Sequence, residues 1–197
     1  MTTIDVLELL KSTGALKEGH FLLSSGRHSA LYIEKFDLLR NPVATSEVCT
    51  GFAEWARDKA IDVVVGPTTG GILLAFETAR QLGVAAAYAE RAEGGSTARE
   101  LRRGTVLPEG ARVLVVDDIL TTGGSVRETL DALAPHKVEV VGIGLLADRS
   151  AGKVAFGKIP VFSLASLEVE SWAPDEVPDW LAAIPVTKPG TTAVKGQ

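Results

Sequence analysis

The stretch that most constrains this chain is residues 112–125, Arg-Val-Leu-Val-Val-Asp-Asp-Ile-Leu-Thr-Thr-Gly-Gly-Ser. Val113 to Val116 is an aliphatic run with no polar alternation, the pattern of a parallel strand buried on both faces. Asp117 and Asp118 follow at once, and Thr121 to Ser125 then opens onto a helical pattern with Val126, Leu130 and Leu133 on one face. A strand that runs through a glycine turn into a helix belongs to an open α/β sheet, where ligands sit at the carboxyl ends of the strands. Unpaired N–H groups at the helix N-terminus can cradle a phosphate there.

The two aspartates narrow what such a cradle can hold. A nucleoside-triphosphate loop needs a lysine after its last glycine, and this stretch has none. A dinucleotide fingerprint needs glycines straight after the strand, where Asp117 and Asp118 stand instead. In the plainer reading Asp117 caps the helix and the glycines only make a turn. In the functional one, adjacent acids beside a phosphate seat suit paired acceptors for a sugar diol or partners for magnesium. The whole run resembles the phosphoribosyl pyrophosphate (PRPP) motif of the type I phosphoribosyltransferases. That resemblance implies a central, mostly parallel sheet flanked by helices, with a small N-terminal hood.

With 197 residues, 46% hydrophobic and 23% charged, the chain is expected to form one domain with a substantial core. The formal charge of −5 gives no support to a nucleic-acid surface, so anion affinity has to come from a local site. No basic segment leads into an apolar stretch at the N-terminus, and no run approaches the roughly eighteen apolar residues that span a membrane. A cytoplasmic protein without membrane or nucleic-acid partners is expected. Cys49 is the single cysteine, which excludes an internal disulfide and reads as a buried thiol.

Along the chain, Ile4, Leu7 and Leu10 recur at helical spacing until Gly14. Two short strands around Ser24-Ser25-Gly26 follow, and a helix is predicted just after Pro42. Ile61 to Val65 reads as a buried strand that ends in Gly66-Pro67-Thr68-Thr69-Gly70-Gly71 and leads into a helix over 72–82. Its turn is either a tight connection or a second anion seat. Val84 to Tyr88, Val138 to Leu146 and Val161 to Leu167 read as further strands. Residues 89–110 lack periodicity and read as a mobile loop or loose ribbon, Trp172 to Ile184 as a cover for the core, and 187–197 as a frayed tail. The expected division is a hood of about 1–40 plus the C-terminal segment, and a core of about 42–167.

Phe21-Leu22-Leu23-Ser24-Ser25-Gly26-Arg27-His28-Ser29 resembles the hood signature of the orotate phosphoribosyltransferases, Phe-x-Leu-x-Ser-Gly-x-x-Ser. His20 and His28 lack metal-ligand spacing and read as exposed or simply hydrogen-bonded. The resemblance implies that Thr68, Thr69 and Gly70 receive the pyrophosphate of PRPP, that Thr121, Thr122, Gly123, Gly124 and Ser125 anchor its 5′-phosphate, and that Asp117 and Asp118 hold the ribose hydroxyls. It places Arg91 on PRPP, with Arg99 beside it. Family lysine and histidine positions read Gly95 and Thr97 here, and no lysine or histidine lies between Ala89 and Gly110, so Arg99, Arg102 or Arg103 must supply the loop's charge. Arg149 is implied as the partner of the orotate carboxylate, which a guanidinium binds through two parallel hydrogen bonds. Thr121 and Ser24 join it at the base. Ser24 stands where the family commonly carries a lysine, and Leu31-Tyr32 where it carries an aromatic pair.

The reaction so implied is transfer of phosphoribose from PRPP to orotate, giving orotidine 5′-monophosphate and pyrophosphate. Magnesium is the expected cofactor, held mainly by PRPP and water with Asp118 as the candidate protein ligand, and a homodimer the expected assembly. The alternatives are an enzyme for uracil or a purine, and a non-catalytic PRPP-sensing regulator. Positive charge builds on the ribose as pyrophosphate leaves, so positioning and electrostatics should dominate. Replacing Asp118 by Asn is therefore expected to lower kcat by about two orders of magnitude or more in a pyrophosphate-release assay.

Overall fold

The computed structural model describes residues 4–93 and 98–189. Gly94, Gly95, Ser96 and Thr97, and the part of the expected tail from 190 onward, lie outside them.

Helix α1 (Val6–Ser12) is capped by the Asp5 carboxylate, which accepts the Glu8 N–H at 3.0 Å, and Gly14 leaves it at φ +69°. Strands β1 (Leu16–Leu22) and β2 (His28–Ile33) form an antiparallel hairpin that pairs Leu16 with Ile33 and Phe21 with Ser29. A short helix α2 (Lys35–Leu39), not foreseen from the sequence, follows directly. Helix α3 (Pro42–Ala56) begins as Pro42 predicts, with the Asn41 side chain accepting from the N–H groups of Val43 and Ala44.

The remaining elements alternate as β3 (Val63–Pro67), α4 (Gly70–Leu82), β4 (Ala85–Arg91), β5 (Arg99–Leu101), β6 (Arg112–Leu120), α5 (Gly124–Leu133), β7 (Glu139–Asp148) and β8 (Val161–Ser166). Helix α6 (Asp179–Ala182) and strand β9 (Val186–Thr187) close the described chain. The main sheet has the order β5-β4-β3-β6-β7-β8, parallel throughout except for β5, which runs back along the edge of β4. Part of the 89–110 stretch is thus ordered ribbon: β4 reaches Arg91 and pairs it with Arg99.

Successive residues of a strand face opposite sides, and β6 shows how the core is divided. Leu114 and Val116 join the layer under α1 to α4 with Leu10, Phe52 and Leu74. Val113 and Val115 join the layer under α5 with Val126, Leu133 and Phe156. Cys49 lies in the first layer, and burial drives its thiol up to about 12, as expected of a structural cysteine. Among the described residues no helix is long and apolar enough to cross a membrane.

The hood is a second sheet of order β2-β1-β9. The C-terminal segment builds it: β9 lies parallel to β1, Trp172 exchanges backbone hydrogen bonds with His28, and Leu181 is fully buried. Trp172 and Trp180 meet edge to face at 6.0 Å. Trp180 remains largely exposed, so within the expected cover over 172–184 it is Leu181 that is fully buried. His20 is buried against His28, Nε2 to Nδ1 at 2.6 Å, and against the Ile184 carbonyl at 3.0 Å. That pairing bears out a hydrogen-bonded reading of the two histidines and corrects an exposed one for His20.

Where β3 turns into α4 the backbones touch. A Cβ on Gly66 would come within 2.0 Å of the Gly71 carbonyl oxygen, which no side-chain adjustment can relieve. Gly66→Ala should accordingly cost about 1–3 kcal/mol, read as a lower midpoint of urea unfolding at unchanged slope.

Candidate active site

The carboxyl ends of β3, β6 and β7 meet at one end of the sheet, and each delivers a loop there. The first correction concerns the acids. The expected strand stopped at Val116, with both carboxylates in the turn beyond it; β6 instead runs on to Leu120, so Asp117 and Asp118 are strand residues. The pleat sends them to opposite faces. Asp117 continues the face of Val113 and Val115, and its Oδ2 accepts the Ser125 hydroxyl at 2.6 Å. Asp118 continues the face of Leu114 and Val116, where its Oδ2 lies 2.7 Å from the Lys35 ammonium and its Oδ1 accepts the Ile119 N–H at 2.7 Å.

The two acids are only 5% and 4% exposed. Burial, followed by the charge of Asp118, lifts the Asp117 carboxyl to about 6; the Ser125 hydroxyl, the Asp118 N–H and Lys35 oppose the rise. Lys35 played no part in the sequence reading, because α2 is too short to give a periodic signal and the contact spans 83 residues of chain.

The phosphate seat is the loop between β6 and α5. Thr121 and Thr122 are exposed, Gly123 turns at φ +79° and Gly124 opens the helix. The hydroxyl proton of Ser125 is committed to Asp117, so the loop's donors to an anion are the first-turn N–H groups and the hydroxyls of Thr121 and Thr122. Arg127 braces the loop from outside, donating to the Thr122 carbonyl at 2.5 Å with its guanidinium 5.2 Å from the centre of the Phe156 ring.

The second loop holds Thr68, Thr69 and Gly70 at the start of α4. Gly70 abuts Asp118: a Cβ there would fall 2.2 Å from Oδ2. The Thr68 hydroxyl accepts from Arg99 Nη1 at 2.9 Å, while Thr69 is exposed.

The candidate loop cations separate into two kinds. Arg99 is 8% exposed and spends its donors internally, on Glu128 at 3.0 Å, on Thr68 and on the Ala89 carbonyl. It ties β5 to α5 and to the second loop, so its guanidinium is engaged within the protein. Arg102 pairs with Glu93 and Arg103 with Glu90 on the ribbon itself. Arg91 is the last residue of β4 and is exposed, whereas Gly95 and Thr97 fall outside the described residues.

The hood closes the third side. Leu23, Ser24, Ser25 and Tyr32 face Thr121, Thr122, Arg149 and Pro189 across a cavity of about 450 Å³. All three residues ascribed to the base, Ser24, Thr121 and Arg149, line this one cavity. Arg149 follows β7 directly and its N–H donates to the Leu120 carbonyl at 2.8 Å, which fixes its backbone beside the phosphate loop. Burial pulls the pKa of its guanidinium below the ordinary arginine value, and Tyr32 works against that shift. Burial in turn raises the Tyr32 phenol, with Lys35 and Arg149 pulling it down. A half-buried cation facing an open cavity is matched to an anionic ligand.

Comparison with known proteins follows this geometry. Residues 38–175 match the family of the phosphoribosyl transferase domain. The chain is 47% identical over 98% of its length to a protein named orotate phosphoribosyltransferase from Methylobacterium sp. (strain 4-46), covering 98% of that protein. It is 44% identical over 96% of its length to the one from Caldicellulosiruptor saccharolyticus, covering 97% of it. The crystal structure of orotate phosphoribosyltransferase from Aeropyrum pernix superposes with a TM-score of 0.71 at 30% identity, over 83% of this chain and 94% of the other.

The raised Asp117 has a consequence for stability. Its carboxyl binds a proton more tightly in the folded chain than at its ordinary value of 3.8, so its contribution is fully present below about pH 4 and is lost as pH rises through about 6. Asp117→Asn removes that loss. The variant is expected to melt higher than the wild type at about pH 7.5, with the gain shrinking toward pH 4 in parallel thermal scans; an equal gain at both would contradict the assignment.

Proposed function

Because this chain belongs to the orotate phosphoribosyltransferases, within the phosphoribosyl transferase family, we infer that it transfers the phosphoribosyl group of PRPP to orotate at the open end of its main sheet. The products are orotidine 5′-monophosphate and pyrophosphate, a step of pyrimidine nucleotide synthesis. The observation that carries the reading is the meeting of Arg149, Ser24 and Thr121 in one cavity that adjoins the Thr121–Ser125 loop. A base with a carboxylate and a sugar with a 5′-phosphate can then be held end to end.

Each group has a task in that arrangement. First-turn N–H groups of α5 and the hydroxyl of Thr122 take the 5′-phosphate. Asp117 and Asp118 approach the ribose from the two faces of β6 and stabilise positive charge as the bond from C1′ to pyrophosphate breaks. Arg149 pairs with the orotate carboxylate and turns the ring nitrogen toward C1′, with Thr121 and Ser24 at the ring edge. Thr68, Thr69 and Gly70 lie beside Asp118 and receive the pyrophosphate. Arg91, Arg102 and Arg103 on the β4–β5 ribbon supply its counter-charge, which requires Arg102 and Arg103 to exchange Glu93 and Glu90 for the leaving group.

Magnesium fits this site as a companion of PRPP and, bound there, would neutralise charge on the departing pyrophosphate. Asp118 is the carboxylate that would hold it, with PRPP oxygens and water supplying the rest; among the described residues no three acids, histidines or cysteines gather into a cage. The same reading makes the protein a cytoplasmic homodimer. Leu73 and Phe76 support the dimer, since they share one face of α4 and Phe76 is 65% exposed.

Orotate, uracil, xanthine and adenine, each offered with PRPP and magnesium, separate the acceptors: orotate alone should release pyrophosphate, and release with a base lacking a carboxylate would overturn the assignment. Arg149→Met should raise the KM for orotate about 10- to 100-fold, the loss of a charged hydrogen-bonded pair, with a smaller change in the KM for PRPP.

A further inference from the structure

Lys35 forms an ion pair with Asp118 of the acid pair, and the reaction as described gives it no task. Its ammonium lies 2.7 Å from Asp118 Oδ2, with the carboxylate buried at 4% exposure while the lysine side chain keeps 36%. A pair between two exposed side chains would contribute little. Here one partner is enclosed by the start of α4 and by Leu39, so removing the lysine leaves a covered carboxylate without its counter-charge.

The geometry of Asp118 leaves room for a sugar. An ionised carboxylate offers about four lone-pair directions, and Lys35 and the Ile119 N–H occupy two of them. Lys35 is the first residue of α2, two after the end of β2, so its backbone position is set by the hood while its ammonium sits in the core site.

We propose that Lys35 is a positioning residue for the sugar end of the site: it holds the Asp118 carboxylate in place for the ribose diol and offsets the repulsion between the two adjacent acids. The inference rests on the phosphoribosyl reading above and extends it to a residue outside the motif.

Two probes isolate the diol from the phosphate. Inorganic phosphate tests the α5 seat alone, and ribose 5-phosphate adds the hydroxyls. By titration calorimetry, Lys35→Met should weaken ribose 5-phosphate about tenfold while leaving inorganic phosphate within about twofold, and Lys35→Arg should recover most of the loss. Ribose 5-phosphate binding that is unchanged or tighter in Lys35→Met overturns the proposal, as does an equal fall for both probes, which marks a general disturbance of the fold. A wild-type chain that binds neither probe and releases no pyrophosphate from PRPP and orotate overturns the family-based reading instead.

Discussion

The pleat of β6 is the constraint on which the site depends. The strand does not stop where its hydrophobic run stops; it carries two acids to the edge of the sheet while still paired with β7, Asp117 opposite Leu145 and Ile119 opposite Ala147. A period of two then forces adjacent carboxylates to opposite faces, one under α5 and one under α2 and α4. Each acid meets a different partner there, the Ser125 hydroxyl or the Lys35 ammonium. The acids still repel, since the charge of Asp118 helps to raise the Asp117 carboxyl; the Ser125 hydroxyl and the Lys35 ammonium oppose that rise.

A second dependence runs through glycine. Gly66, Gly70 and Gly71 let α4 begin against the end of β3 and against Asp118, at distances that a Cβ would close to 2.0–2.6 Å. A helix start is thereby brought beside Asp118. Arg99 fixes the outer side of this arrangement. Its buried guanidinium ties the Thr68 carbonyl and hydroxyl to Glu128 of α5, so the loop after β3 and the helix after β6 are joined by one side chain.

The hood contributes what the core cannot. The ends of a parallel sheet provide helix N-termini, which suit phosphates but do not select a base. The second sheet brings Ser24, Ser25 and Tyr32 across from Thr121 and Arg149, and it is held by the far end of the chain through β9 and the Trp172–His28 bridge. Arg27 adds to that join by donating to Ser171 Oγ at 2.9 Å. The lining of this cavity therefore draws on the first forty residues, the middle of the chain and its C-terminal segment at once.

Much of this was legible in the chain itself, because local signals fix local structure. The aliphatic run at 113–116, the glycine turn, Pro42 at a helix start and the turn between Ser24 and Gly26 each specify an element through backbone preference and periodicity, and each element forms there, with β6 running on past its aliphatic run to Leu120. The resemblance of the 117–125 motif and of the hood signature to known families pointed to the same family that the comparisons show. Arg99 and Lys35 could not be read this way. An arginine in a polar ribbon looks like a solvated cation until Thr68, Ala89 and Glu128 are seen to surround it, and a lysine after β2 carries no signal of an aspartate 83 residues later. Local sequence determined which strands and turns exist, since dihedral preference and hydrophobic period act within a few residues. Tertiary structure alone decided which charges meet, since burial and ion pairing depend on neighbours that only the folded sheet brings together.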